Sequence, residues 1–161
     1  DNIFILRVKT GGPTVTPRVT TTPWTSPPSG SEKRAILAAI DRWWKAHDTD
    51  DAEVLDQVLV PGTRSWFELD GTLQSISFAK EIERIRAGNR RPVTRPLPGE
   101  KRTVVAFTQP GALAAVTMLV EIPRTTGSPS RSLTTFHLYK ADDRWLIVNL
   151  TGYTEPPAAA K

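Results

Sequence analysis

Four stretches of strand-forming residues follow one another at 102–108, 112–122, 131–140 and 144–151 with no room for a helix between them. The breaks are Gln109-Pro110-Gly111, the segment 123–130 and Ala141-Asp142-Asp143, all of turn-forming composition. A parallel connection needs a crossover of about a dozen residues or more, so consecutive strands this close run antiparallel. A meander of this kind has one face to bury, and the chain must supply the cover from earlier residues.

That cover is legible upstream. Ser29-Gly30-Ser31-Glu32 has the pattern of a helix N-terminus, with hydroxyls for orphan amides and a carboxylate at the positive helix end. Ile36, Leu37, Ile40, Trp43, Trp44 and His47 then recur at three- and four-residue steps and form one broad stripe. A second, shorter helix is expected after Asp50-Asp51-Ala52-Glu53, with Val54, Leu55, Val58 and Leu59 inward and Pro61-Gly62 as its stop. The segment 63–76 alternates around Asp70-Gly71, the dipeptide of a tight hairpin turn. Ser77 is placed to cap a third helix carrying Phe78, Ile82 and Ile85, which Gly88-Asn89 end.

Helices first, a hairpin between and a long meander last define an α+β chain with one domain at residues 31–152. Residues 1–30 form a Thr/Pro-rich extension and linker, in which 3–6 is short enough to pair as an edge strand and Trp24 to dock on the domain. Residues 153–161 are expected to form a disordered tail. Long strands twist and curl, so helices on the concave side leave a cavity.

The charge balance is local. Residues 84–102 carry Arg84, Arg86, Arg90, Arg91, Arg95, Lys101 and Arg102 against Glu100 alone, while the whole chain is only +4. No aromatic residue interleaves them to stack a base, so a solvated loop is expected and nucleic acid is not. Cysteine is absent, which excludes thiolate catalysis, Cys-based zinc sites and iron–sulfur clusters. The two His residues, His47 and His137, lie far apart with no carboxylate at ligand spacing, so neither a metal nor a cofactor is implied. No apolar run approaches the roughly 18 residues of a membrane span, so a soluble chain is expected, cytoplasmic or exported.

The run Ala38-Ala39-Ile40-Asp41-Arg42-Trp43-Trp44, the following Asp48-Thr49-Asp50-Asp51-Ala52-Glu53-Val54-Leu55, then Asp70-Gly71 and Phe78 form one pattern. With the closing Leu138-Tyr139-Lys140-Ala141-Asp142-Asp143-Arg144-Trp145-Leu146-Ile147-Val148-Asn149, it resembles the SnoaL-like and lumazine-binding-like branch of the nuclear transport factor two-like superfamily. The resemblance covers residues 31–152, and the closing aromatic strand, acidic turn and Arg-Trp-Leu-Ile-Val-Asn are its more specific part. It implies a cone of N-terminal helices on a curved antiparallel sheet, a homodimer formed through that sheet, and a pocket used for catalysis, ligand binding or protein contacts.

Ionisable groups able to face such a pocket are few. Glu68 lies near the carboxylate base of the ketosteroid isomerase-like relatives, and neighbouring Trp66 and Phe67 would desolvate it. Trp43 stands where those isomerases carry an oxyanion-binding Tyr, so steroid-type isomerisation lacks its donor. No match is found to the Asp-Arg-Asp arrangement of the related epoxide hydrolases. Along 131–140, Leu133, Thr135, His137 and Tyr139 share one strand face and Ser132, Thr134, Phe136 and Leu138 the other. If the first set faces inward, His137 is a proton carrier with Tyr139 beside it. The plain alternatives are a solvated Glu68, an outward His137 and a His47 that serves only the negative end of its helix. Trp43, Trp66, Phe67 and Tyr139 are the candidate ligand wall, with core packing an alternative for some of the tryptophans, Trp44 and Trp145 included.

Three functions are consistent with this pattern. The first is a small-molecule-binding domain with an apolar, aromatic pocket. The second is a SnoaL-like acid–base enzyme, an isomerase, cyclase or dehydratase using Glu68 or His137. The third is a dimerisation or protein-interaction module. The polarity of the hollow discriminates among them, since two or more convergent ionisable groups favour the enzyme.

Overall fold

A computed structural model describes residues 30–69, 72–89, 96–124 and 129–155. The expected edge segment 3–6, the linker, Trp24, the Asp70-Gly71 turn, residues 90–95 and the last six residues lie outside that set. The order is α1 (Gly30–Thr49), α2 (Ala52–Val58), β1 (Leu59–Leu69), β2 (Thr72–Ser77), α3 (Phe78–Arg86), β3 (Lys101–Thr108), β4 (Leu113–Ile122), β5 (Ser130–Ala141) and β6 (Arg144–Thr154). Among these helices none is long and apolar enough to cross a membrane.

The local signals explain most of the boundaries. Asp51 caps α2 by accepting the Val54 amide at 3.0 Å. Ser77 occupies the cap position of α3 but makes no side-chain capping bond, so that helix is held by burial of Phe78 and Ile82 instead. At its other end the Gly88 and Asn89 amides bond the Ile85 and Arg84 carbonyls at 2.9 Å, with Gly88 at φ +66°. Asp142 and Asp143 both adopt positive φ between the paired residues Ala141 and Arg144. Two left-handed residues match the twist of a two-residue hairpin.

Pro61-Gly62 does not stop α2. That helix ends at Val58, and the strand already begins at Leu59 and runs through both residues, with its register shifted between Leu59 and Arg64. Gly62, at φ +87°, permits the bulge. Thr63, buried within it, sets its hydroxyl between the carbonyls of Val60 (2.5 Å) and Ile147 (3.0 Å).

The six strands form one sheet in the order β2-β1-β6-β5-β4-β3. All hairpin-connected neighbours are antiparallel, but β1 and β6 pair in parallel, so the sheet is mixed rather than wholly antiparallel. The tight-turn argument binds only consecutive strands, and β1 meets β6 from a distant part of the chain. β6 also continues to Thr154, and the Glu155 amide bonds the Arg131 carbonyl at 2.9 Å, so ordered pairing extends past residue 152.

The helices cover the inner sheet face. Ile36, Ile40, Trp43 and Trp44 of α1 join Val116 and Met118 of β4, Phe136 and Leu138 of β5, and Trp145, Ile147 and Leu150 of β6 in one buried core. The Phe136 ring meets the edges of both tryptophans, with centroids 5.2 Å from Trp43 and 5.9 Å from Trp44. At the start of α1, Glu32 accepts Lys140 Nζ at 2.7 Å and the Trp145 indole at 2.8 Å. The lysine bond, then the indole bond, hold the Glu32 carboxyl below its ordinary range.

Candidate functional site

A cleft of about 270 Å³ opens where the last turns of α1 and the start of α3 meet the ends of β1, β2, β5 and β6. Its apolar wall includes Trp43, Trp44, Phe67, Phe78 and Leu150; its polar groups include His47, Ser65, Glu81 and Thr134. Helical spacing brings Trp43, Trp44 and His47 together. The imidazole stacks on Trp43 at 4.9 Å and 19°, and Phe78 meets the Trp43 ring edge-on at 6.0 Å.

Strand alternation decides the rest. On β1, Ser65 and Phe67 pair beside the inward Leu150 and Gly152, which turns Trp66 and Glu68 to the outer face. On β5, Phe136 and Leu138 are fully buried, which sends His137 and Tyr139 outward. The cleft therefore contains Trp43 and Phe67 of the residues singled out from sequence, and does not contain Glu68, Trp66, His137 or Tyr139. Glu68 and His137, the expected proton carriers, lie on the strand faces opposite the core and outside this cleft. Among the described residues, Trp43, Trp44 and Phe136 pack into the core where the hollow inside the cone was expected, and the cleft lies beside them.

Sequence reasoning missed two members. His47 belonged to the helical stripe, yet its place near a helix end suggested only a terminal charge. Glu81 sits one turn into α3, where an acidic residue is ordinary. The missing signal was the meeting of two helices.

Behind the cleft, Arg102 lies with its guanidinium 3.9 Å over the Trp44 ring. It bonds Asp48 through both terminal nitrogens, at 2.8 and 3.0 Å, and Glu100 through Nε at 2.6 Å. Burial opposes the Arg102 charge, but the two carboxylates outweigh it and raise its pKa above the ordinary arginine value. Arg86, on the exposed surface, bonds Glu53 at 2.8 Å and Asp56 at 3.3 Å, which links α3 to α2. The indole nitrogens of Trp43 and Trp44 are buried with no acceptor among the described residues. Among those residues no three His, Asp or Glu side chains are grouped to hold a metal ion.

Residues 31–151 match the family described as "Putative lumazine-binding". The chain belongs to that family. Solved structures place the family's domain here within the NTF2-like fold. One, an NTF2-like protein of unknown function from Shewanella baltica, is 14% identical with a TM-score of 0.59, over 81% of this chain and 99% of its own. Another from Silicibacter pomeroyi, also of unknown function, is 12% identical with a TM-score of 0.60, over 80% and 100%. A ketosteroid isomerase-like protein from Erwinia carotovora atroseptica is 15% identical with a TM-score of 0.55, over 80% and 99%. At such identity these relatives share the fold alone. None of the curated proteins matches the chain.

Proposed function

We propose that this domain binds a small organic molecule bearing one or two rings in the cleft between α1, α3 and the sheet. The observation that carries this is an open hollow of about 270 Å³ with an aromatic wall and a few polar groups. Small-molecule sites have that composition, and the volume is near the lower end of their usual range. Trp43, Phe67 and Phe78 would lie against the ring. His47, Ser65, Thr134 and Glu81 would set its orientation, since hydrogen bonds in a mostly apolar site fix pose more than they add affinity. The family description and the ketosteroid isomerase-like neighbour are in keeping with a ligand pocket.

A second reading, acid–base catalysis on that ligand, is favoured by one observation: an imidazole and a carboxylate, His47 and Glu81, line the same cleft. Such a pair can take a proton from one atom and return it to another. Homodimerisation through the sheet is a separate proposal. It rests on the outer face, where Trp66 and Tyr139 are 39% and 45% exposed, together with Leu133 and Tyr153, which also line the cleft and are 40% and 43% exposed. Clustered apolar exposure of this kind is characteristic of interaction surfaces.

Phe67 and Trp66 give the binding proposal an internal control, being neighbours on opposite faces of β1. A library of ring-bearing fragments is screened by ligand-observed NMR against the wild-type chain, Phe67→Ala and Trp66→Ala. Binding lost in Phe67→Ala and kept in Trp66→Ala is expected. Equal binding by all three chains, or no hit at all, would refute the cleft as the site.

A further inference from the structure

The inward side chains of β5 and β6 change character along the strands. Near the turn that joins them, Leu138 and Phe136 of β5 and Trp145, Ile147 and Leu150 of β6 are all apolar and buried. Past the pairing of Phe136 with Leu150, the inward positions become Thr134 and Ser132 on β5 and Gly152 and Thr154 on β6. Register sets Ser132 opposite Thr154 and Thr134 opposite Gly152. Loss of cover at the sheet end does not account for the change, because the β4 partners of Thr134 and Ser132 are Met118 and Val120, still buried at 6% and 4% exposure. The switch to hydroxyls coincides with the floor of the cleft.

Other hydroxyls of the sheet are engaged by the protein itself. Thr63 donates to the Ile147 carbonyl at 3.0 Å, and Thr117 and Thr135 bond each other at 2.9 Å on the outer face. Among the described residues, the hydroxyls of Ser132, Thr134 and Thr154 bond no other protein group. Each can donate and accept, and each rotates to suit its partner. Gly152 supplies a second observation. Its φ lies outside the left-handed region and a Cβ there would meet only ordinary contacts, so neither backbone conformation nor packing requires glycine. A glycine within a strand gives up side-chain packing, and such a position is often one where a ligand approaches the backbone closely. Here the bare backbone lies between Phe67 of β1 and Thr134 of β5, beside an aromatic ring.

We propose that Ser132, Thr134 and Thr154 form the specificity edge of the cleft, taking a ring that carries two or more hydroxyl or carbonyl oxygens along one side and sits over Gly152 against Phe67. The proposal rests on the ligand-binding reading of the cleft and adds to it the class of molecule and the side from which it is read. Directly opposed residues on adjacent strands stand about 5 Å apart, and alternate residues on one strand roughly 7 Å apart. Hydroxyls at that spacing meet neighbouring oxygens of one ring edge rather than a single atom. The contacts are between neutral groups, and no ionisable side chain takes part. A hydrocarbon edge in the same place would strip water from the hydroxyls without replacing its bonds, so it is the disfavoured occupant.

Two probes of one ring system isolate the edge: naphthalene, and naphthalene bearing two adjacent hydroxyls. Their affinities for the full chain are measured by NMR titration. The wild-type chain is expected to bind the diol about tenfold more tightly than the hydrocarbon, the worth of two modest hydrogen bonds. Thr134→Val keeps the side-chain shape and removes the hydroxyl, so diol affinity should fall roughly three- to tenfold, one such bond, with naphthalene unchanged. Ser132→Ala should act in the same direction, and Thr135→Val, its hydroxyl on the outer face, should leave both affinities as they are. Should Thr134→Val fail to fold, Thr154→Val at the exposed strand end reads the same difference. Equal wild-type affinity for the two probes overturns the proposal. So does a folded Thr134→Val chain, or Thr154→Val in its place, that keeps the whole preference for the diol; the ligand-binding reading then stands without it. Binding of neither probe, or naphthalene binding that survives Phe67→Ala, sinks the cleft reading and the proposal with it.

Discussion

Replacing Gly152 with leucine puts a branched side chain where the β6 backbone forms part of the cleft wall. A Cβ built at this position meets Phe67 Cβ at 3.6 Å and the Leu133 and Trp66 carbonyl oxygens at 3.9 and 4.0 Å, all ordinary contacts. Alanine is therefore accommodated, with a stability change of about 1 kcal/mol or less. Leucine adds four heavy atoms, and at roughly 30 Å³ each, a water molecule's share of liquid volume, they take about 120 Å³. That is close to half of the 270 Å³ available. A ring that fills the cleft in the wild-type chain can no longer do so. Affinity for any fragment bound there should fall at least about tenfold, or roughly 1.4 kcal/mol. Isothermal titration of wild type, Gly152→Ala and Gly152→Leu with the same fragment measures this, with thermal melting as the check on folding. A folded leucine variant with unchanged affinity would refute the placement of the ligand. An alanine variant as impaired as leucine would refute the argument from space.

Two further outcomes are expected. Glu32 has a folded-state pKa below its ordinary 4.5, because of its bonds to Lys140 and then Trp145. Its contribution to stability is therefore full above about 4.5 and is lost as pH falls through the lower, folded value. The melting temperature of Glu32→Gln should lie below wild type at neutral pH and converge with it at acid pH; a gap that stays constant from neutral to acid would contradict the linkage. On the outer face, Tyr139→Lys should convert a sheet-mediated dimer to monomer in sedimentation velocity. A wild-type chain that is monomeric at micromolar concentration would remove the dimer proposal.

The site was partly legible beforehand. Trp43 and Phe67 are legible as aromatic wall residues, Trp43 on the apolar stripe of α1 and Phe67 beside Glu68 in an alternating segment. Their neighbours Trp66, Glu68, His137 and Tyr139 were equally good candidates by residue type. Alternation sorts a strand into two sets but does not say which set is inward. His47 is the opposite case: its place in the stripe and its helical spacing to Trp43 are visible in the sequence, while the ion cluster that fixes the neighbouring Asp48 depends on β3 delivering Arg102 from more than fifty residues away.

The order and type of the elements follow from short-range chemistry: the three-and-four spacing of α1, the acidic cap of α2, and turns such as Asp142-Asp143 that leave no length for a crossover. These are interactions within a few residues, so the sequence alone determines them. The parallel pairing of β1 with β6, the choice of inner face on β1 and β5, the packing of Trp43, Trp44 and Phe136 where the hollow was expected, and the ion cluster that fixes Asp48 were decided only by tertiary structure. Each depends on which distant surfaces exclude water together, and burial between segments far apart in the chain has no local signature.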